Sequence, residues 1–256
     1  MPHNYNFEWK HRMEWIYLSP HLDDVALSCG GLVWEQVQDG NKVSIWTVCA
    51  GDPPSETYSD FAKSFHERWG AIVWAVATRR AEDIVSCARL GAVHRHFPIP
   101  DCIYRIDPQS GKPLYLSEED LFGGLHPSEG FLVERVRDLI REQLPPQVNL
   151  VCPLTIGRHV DHLLTRAAAE KLGIPLWYYA DYPYIERLDA RDQTLFEGME
   201  STLDPISEAG LQAWQEAVAA HASQISTFWL NEQTMKEAIR NYHRRVGGIR
   251  LWSRKV

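Results

Sequence analysis

Residues 15–40 read WIYLSPHLDDVALSCGGLVWEQVQDG, and the fold class is decided there. Trp15 to Ser19 is a short β-rich apolar run, stopped by Pro20. After a brief acidic turn, Val25 to Gln38 has the length and apolar spacing of a helix, closed by Asp39-Gly40. A strand running through a tight turn into a helix is the first half of a βαβ unit. The alternation then repeats. Further strands are expected at Val43 to Cys49, Val93 to Ile99, Asn149 to Cys152 and Leu176 to Ala180. Helices are expected over a long stretch ending near Leu90, over Ser128 to Leu144 and over Val160 to Leu172, each closed by Gly or Pro. The predicted architecture is α/β: a Rossmann-like, doubly wound, mainly parallel sheet with helices on both faces.

Outward from this frame, residues 101–130 (DCIYRIDPQSGKPLYLSEEDLFGGLHPSEG) lapse into a polar, Pro- and Gly-bearing stretch too long for an ordinary connection. We expect a lid-like loop. After Tyr184 the chain reads as helical, with Ser207 to Ala220 and Asn231 to Val246 expected as an appended pair over 207–246. The whole of 1–256 is read as one domain. Apolar residues at 45% and charged residues at 23% exclude a disordered or low-complexity chain. The formal net charge of −8 gives no general basic footprint for nucleic acid or an anionic membrane. Five scattered Cys without a CxxC pair argue against a disulfide framework or a Cys-type zinc knuckle. Neither a spanning apolar helix nor a signal peptide is visible, so a cytoplasmic location is expected.

Two segments carry chemistry. Ser19-Pro20-His21-Leu22-Asp23-Asp24 lies where the first strand meets the first helix, and ligands of open α/β sheets bind outside the carboxyl ends of strands. Adjacent carboxylates beside an imidazole repel one another, or must be desolvated, unless a cation sits among them. Helix capping accounts for one Asp but not for the pair plus His21. The second segment, Gly157-Arg158-His159-Val160-Asp161-His162, follows the fourth strand. If the helix has begun there, His159 and His162 share a face. Together the segments give a mixed N/O donor set that suits zinc, and His21, Asp24 and His162 fit the three protein ligands of a catalytic site.

With these residues the chain resembles the PIG-L, or LmbE-like, zinc deacetylases, whose hallmarks are His-Pro-Asp-Asp-Glu and a distant His-x-Asp-His. The match spans roughly Ile16 to Leu172 and includes Arg79-Arg80-Ala81-Glu82 followed by Leu90-Gly91. Members remove acetyl groups from N-acetylglucosamine-type sugars in glycosylphosphatidylinositol precursors, thiol biosynthesis and antibiotic tailoring. The resemblance implies that His21, Asp24 and His162 bind one zinc per chain, with ferrous iron as the alternative metal. It also implies that Asp23 is the general base and that His159 stabilises the transition state, protonated or as a donor. Asp161 is expected to hydrogen-bond and tune an imidazole, while Arg79 and Asp101 are expected to hold sugar hydroxyls. Tyr104, Trp69 and Tyr182 are candidates for stacking on a sugar face. The chain departs from the family pattern at Leu22, Val160 and Val25, the last standing where Glu is usual. The expected partner is a small amino-sugar conjugate. Two readings compete: a two-metal phosphohydrolase, and a non-catalytic nucleotide-binding module, the latter weakened by the absence of G-x-G-x-x-G after the first strand.

Overall fold

The computed structural model describes residues 13–54, 58–70 and 74–255. Seven strands form one sheet: β1 (Glu14–Ser19), β2 (Lys42–Thr47), β3 (Val93–His96), β4 (Asn149–Pro153), β5 (Leu176–Tyr179), β6 (Met199–Pro205) and β7 (Gly248–Arg254), in the order β3-β2-β1-β4-β5-β7-β6. The first five are parallel, while β7 runs antiparallel to both β5 and β6. The helices are α1 (Asp24–Gln38), α2 (Asp60–Arg68), α3 (Ala75–Leu90), α4 (Glu118–Leu121), α5 (Gly130–Arg141), α6 (Val160–Glu170), α7 (Ala190–Gln193), α8 (Glu208–Ala219), α9 (Ala222–Phe228) and α10 (Glu232–Val246).

Period-two alternation along the strands separates two cores. Tyr17, Ile45 and Val151 join α1, α3, α8 and α10 in one apolar cluster. Ile16, Leu18, Trp46, Leu150 and Cys152 join α5 and α6 in the other. Helices therefore cover opposite faces, and β1 and β4 are buried on both.

The close approach of α8 to α1 depends on small residues in α1. Trp214 of α8 is fully buried, and its indole Nε1 donates to the carbonyl of Leu27 at 3.0 Å. A Cβ at Gly30 would stand 2.7 Å from the indole, so this glycine permits the approach. The segment 207–246, expected as a helix pair packing on the sheet, differs in its helix count. It holds three helices, and α8 packs into the main core because Leu211, Trp214 and Val218 are apolar along one face. The expected helix ending near Leu90 is broken into α2 and α3. The stretch 101–130 carries α4 and short 3-10 turns over a third apolar cluster that includes Trp69, Ile103, Tyr115, Leu121 and Val160. Its tip, residues 108–113, is solvent-facing throughout, while Cys102 to Arg105, Tyr115, Leu121 and Glu129 are buried.

Candidate active site

The turn after β1 is held by its own small polar groups. Ser19 Oγ donates to the His21 carbonyl (2.6 Å) and accepts from the Val25 amide (3.2 Å). The Asp24 carboxylate accepts from the His21 amide at 2.7 Å. Asp23 occupies the N-cap of α1 yet makes no side-chain cap bond. Capping therefore does not consume this carboxylate, which is 7% exposed and faces Arg79 Nη2 at 3.6 Å. Val25 is fully buried in the first apolar cluster, so the position of the family's usual Glu holds no polar group here.

Two imidazoles converge on Asp24. Its Oδ2 lies 3.2 Å from His21 Nδ1 and 3.4 Å from His162 Nε2. Behind each ring stands another carboxylate. His21 Nε2 is 3.0 Å from Asp161 Oδ2, and His162 Nδ1 is 2.6 Å from Asp181 Oδ1. Carboxylates on the far nitrogens fix tautomer and ring orientation in the manner of metal-ligating histidines. Asp161 is fully buried; it also pairs with Arg105 and accepts from the Cys102 amide at 3.0 Å, while Asp181 accepts from the Ile156 amide at 2.8 Å.

His159 is the N-cap of α6 rather than part of the helix, because its Nδ1 accepts the Asp161 amide at 3.2 Å. The same-face argument for His159 and His162 assumed a helix already begun. The rings nevertheless meet, with centroids 5.5 Å apart and that of His159 4.8 Å from His21. Donor atoms of His21, His159 and His162 lie within 4.8 Å of one another. The alternative groupings, Cys102 with His159 and Asp161 and His21 with Asp101 and Asp161, share these residues, so among the described residues the metal-type clusters form one locus. Burial, then Asp161, pushes the Cys102 thiol well up, keeping it protonated and a poor ligand. The nitrogen and oxygen donors around Asp24, backed by carboxylates, fit a divalent metal.

The electrostatics point the same way. Burial disfavours a charged His162, yet Asp24 and Asp181 together raise its pKa to about 10. Burial likewise opposes charge on His21, and hydrogen bonds to Asp161 and Asp24 outweigh it, holding the imidazole well above its ordinary range. The locus thus calls for positive charge, drawn from protons when no other cation supplies it. Burial and the neighbouring Asp24 lift Asp23 to about 6, with Arg79 opposing. Burial, then His21, holds His159 well below the usual imidazole range. Of the two alternatives expected for His159, protonated or donating, the burial favours the neutral, donating ring.

The cleft is walled by Phe65, Trp69, Leu121, Tyr184, Gln224 and Phe228. Arg79 lies over the Trp69 ring (4.6 Å) and 3.8 Å from Asp101 Oδ2, with Asp101 in turn 3.8 Å from His21 Nε2. Arg79 does not pair with Glu82, which instead accepts from the amide (2.8 Å) and hydroxyl (2.6 Å) of Ser223 and anchors the start of α9. Of the aromatic candidates only Trp69 lines the cleft, one face taken by Arg79. Tyr104 is 2.6 Å from His66 Nε2, and Tyr182 packs on Trp214 and Tyr242 in the core. Sequence reading missed Asp181, Arg105, Gln224 and Phe228. A signal existed for Asp181, a carboxylate directly after a predicted strand.

Residues 16–173 match the family described as PIG-L, GlcNAc-PI de-N-acetylase. The chain belongs to the PIG-L family. As a member it is a hydrolase of the N-deacetylase type, with a mixed α/β fold and a donor cluster consistent with metal dependence. It is 31% identical over 186 residues to a 2'-N-acetylparomamine deacetylase of Niallia circulans, a match spanning 66% of each chain and so just under two thirds of that relative. The zinc-inhibited form of teicoplanin deacetylase Orf2 superposes with a TM-score of 0.75 at 26% identity, covering 94% of this chain and 97% of the other. A deacetylase–teicoplanin complex gives 0.76 at 27% identity with the same coverage. No helix among the described residues is long and apolar enough to cross a membrane.

Proposed function

We propose that this PIG-L chain removes an N-acetyl or other N-acyl group from an amino-sugar conjugate, using one zinc ion held by His21, Asp24 and His162. The observation that carries the reading is the convergence of His21 Nδ1 and His162 Nε2 on one oxygen of Asp24, with the uncommitted carboxylate of Asp23 beside it. Zinc, when bound in such a site, polarises an amide carbonyl and makes water acidic near neutral pH.

The chain's own groups supply the remaining chemistry. Asp23 takes a proton from the attacking water as the new carbon–oxygen bond forms. It returns that proton to the departing nitrogen when the carbon–nitrogen bond breaks, releasing a carboxylic acid and a free amine. Because Nδ1 of His159 accepts a backbone amide, the single proton of the neutral ring sits on Nε2, where it can donate to the developing oxyanion. Asp161 and Asp181 hold the His21 and His162 rings. Arg79 steadies Asp23 and, with Asp101, offers a donor and an acceptor to sugar hydroxyls. The aromatic wall suits the apolar face of a sugar ring. We read the frame as Rossmann-like and doubly wound, the chain as one domain, its location as cytoplasmic, and nucleic acid as excluded by charge. A two-metal phosphohydrolase and a nucleotide-binding module gain no support from the family match or from the relatives named above, which are deacetylases.

The test is free-amine release from a panel containing 2'-N-acetylparomamine and N-acetylglucosaminyl glycopeptides, with chelated enzyme and with enzyme titrated with zinc or ferrous iron. Titration matters because one relative is known in a zinc-inhibited form. Amine release that chelation abolishes and metal restores is the expected result. Release unaffected by chelation would overturn the reading.

A further inference from the structure

The most anomalous side chain outside the described chemistry is His221. It stands at the N-cap of α9 and is 2% exposed, and neither ring nitrogen has a partner among the described residues. Its backbone is satisfied: the amide donates to the Val218 carbonyl and the carbonyl accepts from Gln224. Burial holds the imidazole neutral, so it carries one N–H and one lone pair, both unspent. Buried polar atoms without partners are uncommon enough to need an explanation.

Against the ring lies a small cavity whose polar lining is His221, Asp23 and Gln224 and whose other walls include Leu27, Val218 and Trp229. Asp23, Gln224 and Phe228 line the reaction cleft as well, so the two spaces adjoin. The cavity is about the size of one water, and it offers the two or more polar partners that a buried water requires. An apolar extension of the acyl group would leave the ring unsatisfied. A water takes up its N–H. The Asp23 carboxylate, for its part, accepts no direct hydrogen bond among the described residues, and Arg79 reaches it only at 3.6 Å. Its carboxylate orientation is otherwise under-determined.

We propose that this cavity is a site for one ordered water that bridges His221 to Asp23, making His221 a positioning residue for the reaction. The water accepts from the imidazole N–H and donates to the carboxylate, turning Asp23 toward the cleft. The positioning role rests on the reading of Asp23 as the base; the water site does not.

A high-resolution crystal structure of the metal-loaded enzyme tests the site. A water within hydrogen-bond distance of both the His221 ring and the Asp23 carboxylate is expected, and a dry cavity overturns the proposal. Kinetics test the role. His221→Phe should lower kcat about tenfold with KM and metal content unchanged, and His221→Gln should recover most of the loss. Should His221→Phe fail to fold, Val218→Ile narrows the cavity with His221 in place and is expected to lower kcat in the same way. In an Asp23→Asn background neither change should cost anything further. An additive loss there, with Asp23→Asn itself impaired, overturns the positioning role alone. Full turnover in Asp23→Asn overturns the base assignment and the positioning role together.

Discussion

The floor and the far wall of the cleft are built on different principles. The floor comes from the carboxyl ends of β1, β4 and β5, and its ionisable groups are nearly all partnered: His21 between Asp24 and Asp161, His162 between Asp24 and Asp181, Asp161 against Arg105. The wall comes from α9, where Gln224 and Phe228 meet a histidine, His221, whose ring has no partner among the described residues. The floor is over-determined, as a metal site must be if its donors are to stand ready in place. The wall shapes and excludes. Asp23 is the seam between them, since it lines both spaces and is held by neither.

Several variants would break or sharpen that contrast. Asp23→Asn removes the proton acceptor from a site whose geometry it leaves intact, and turnover should fall ~10²–10⁴-fold. The acidic limb of the pH–rate profile, which requires Asp23 as a carboxylate, should flatten in the same variant. His159→Asn keeps a good helix cap but withdraws the Nε2 donor. It should cost about 10²–10³-fold in kcat with little change in thermal stability; a lowered melting temperature with normal kcat would make His159 a structural cap only. Asp181→Asn sets an amide group against either His162 or the Ile156 amide, which the carboxylate now serves together. Metal affinity measured by competition with a chelator should weaken about 10- to 100-fold. The smallest effect is expected far from the seam. Replacing residues 108–113 with a Gly/Ser turn should change stability in denaturant by no more than about 0.5 kcal/mol, because that tip packs against no core element. Global unfolding of the variant would show that the tip is a structural part of the third apolar cluster.

How much of this was legible follows the same division. Parallel strands buried on both faces must be β-rich apolar runs, so β1, β2, β4 and β5 stand out in the sequence along with the turns at their carboxyl ends, whereas the exposed edge strand β3, VHRH, is marked only by the apolar Phe97 and Ile99 that follow it. The floor was therefore readable as His21, Asp23, Asp24, His159, Asp161 and His162. The edge strand β6, MESTLDP, is largely exposed and carries too few apolar residues to announce itself, and β7 was missed with it. Helix α9, ASQISTF, is seven residues long with three apolar positions, too short for its period to stand out, so the wall that it forms had no signature. Arg105 and Glu129 lie in the stretch taken as a lid. Their burial depends on Asp161 arriving from elsewhere in the chain and on Tyr115 folding back onto Glu129 within the stretch, which local sequence does not encode.

The central claim is that two adjacent carboxylates divide the work, Asp24 holding the metal and Asp23 moving the proton. Metal content per chain, measured on Asp23→Asn and Asp24→Ala after identical reconstitution and alongside turnover, tests it most directly. The account predicts that both lose turnover, with about one metal ion retained in Asp23→Asn and none in Asp24→Ala. Equal metal loss in both variants, or full retention in Asp24→Ala, would contradict it.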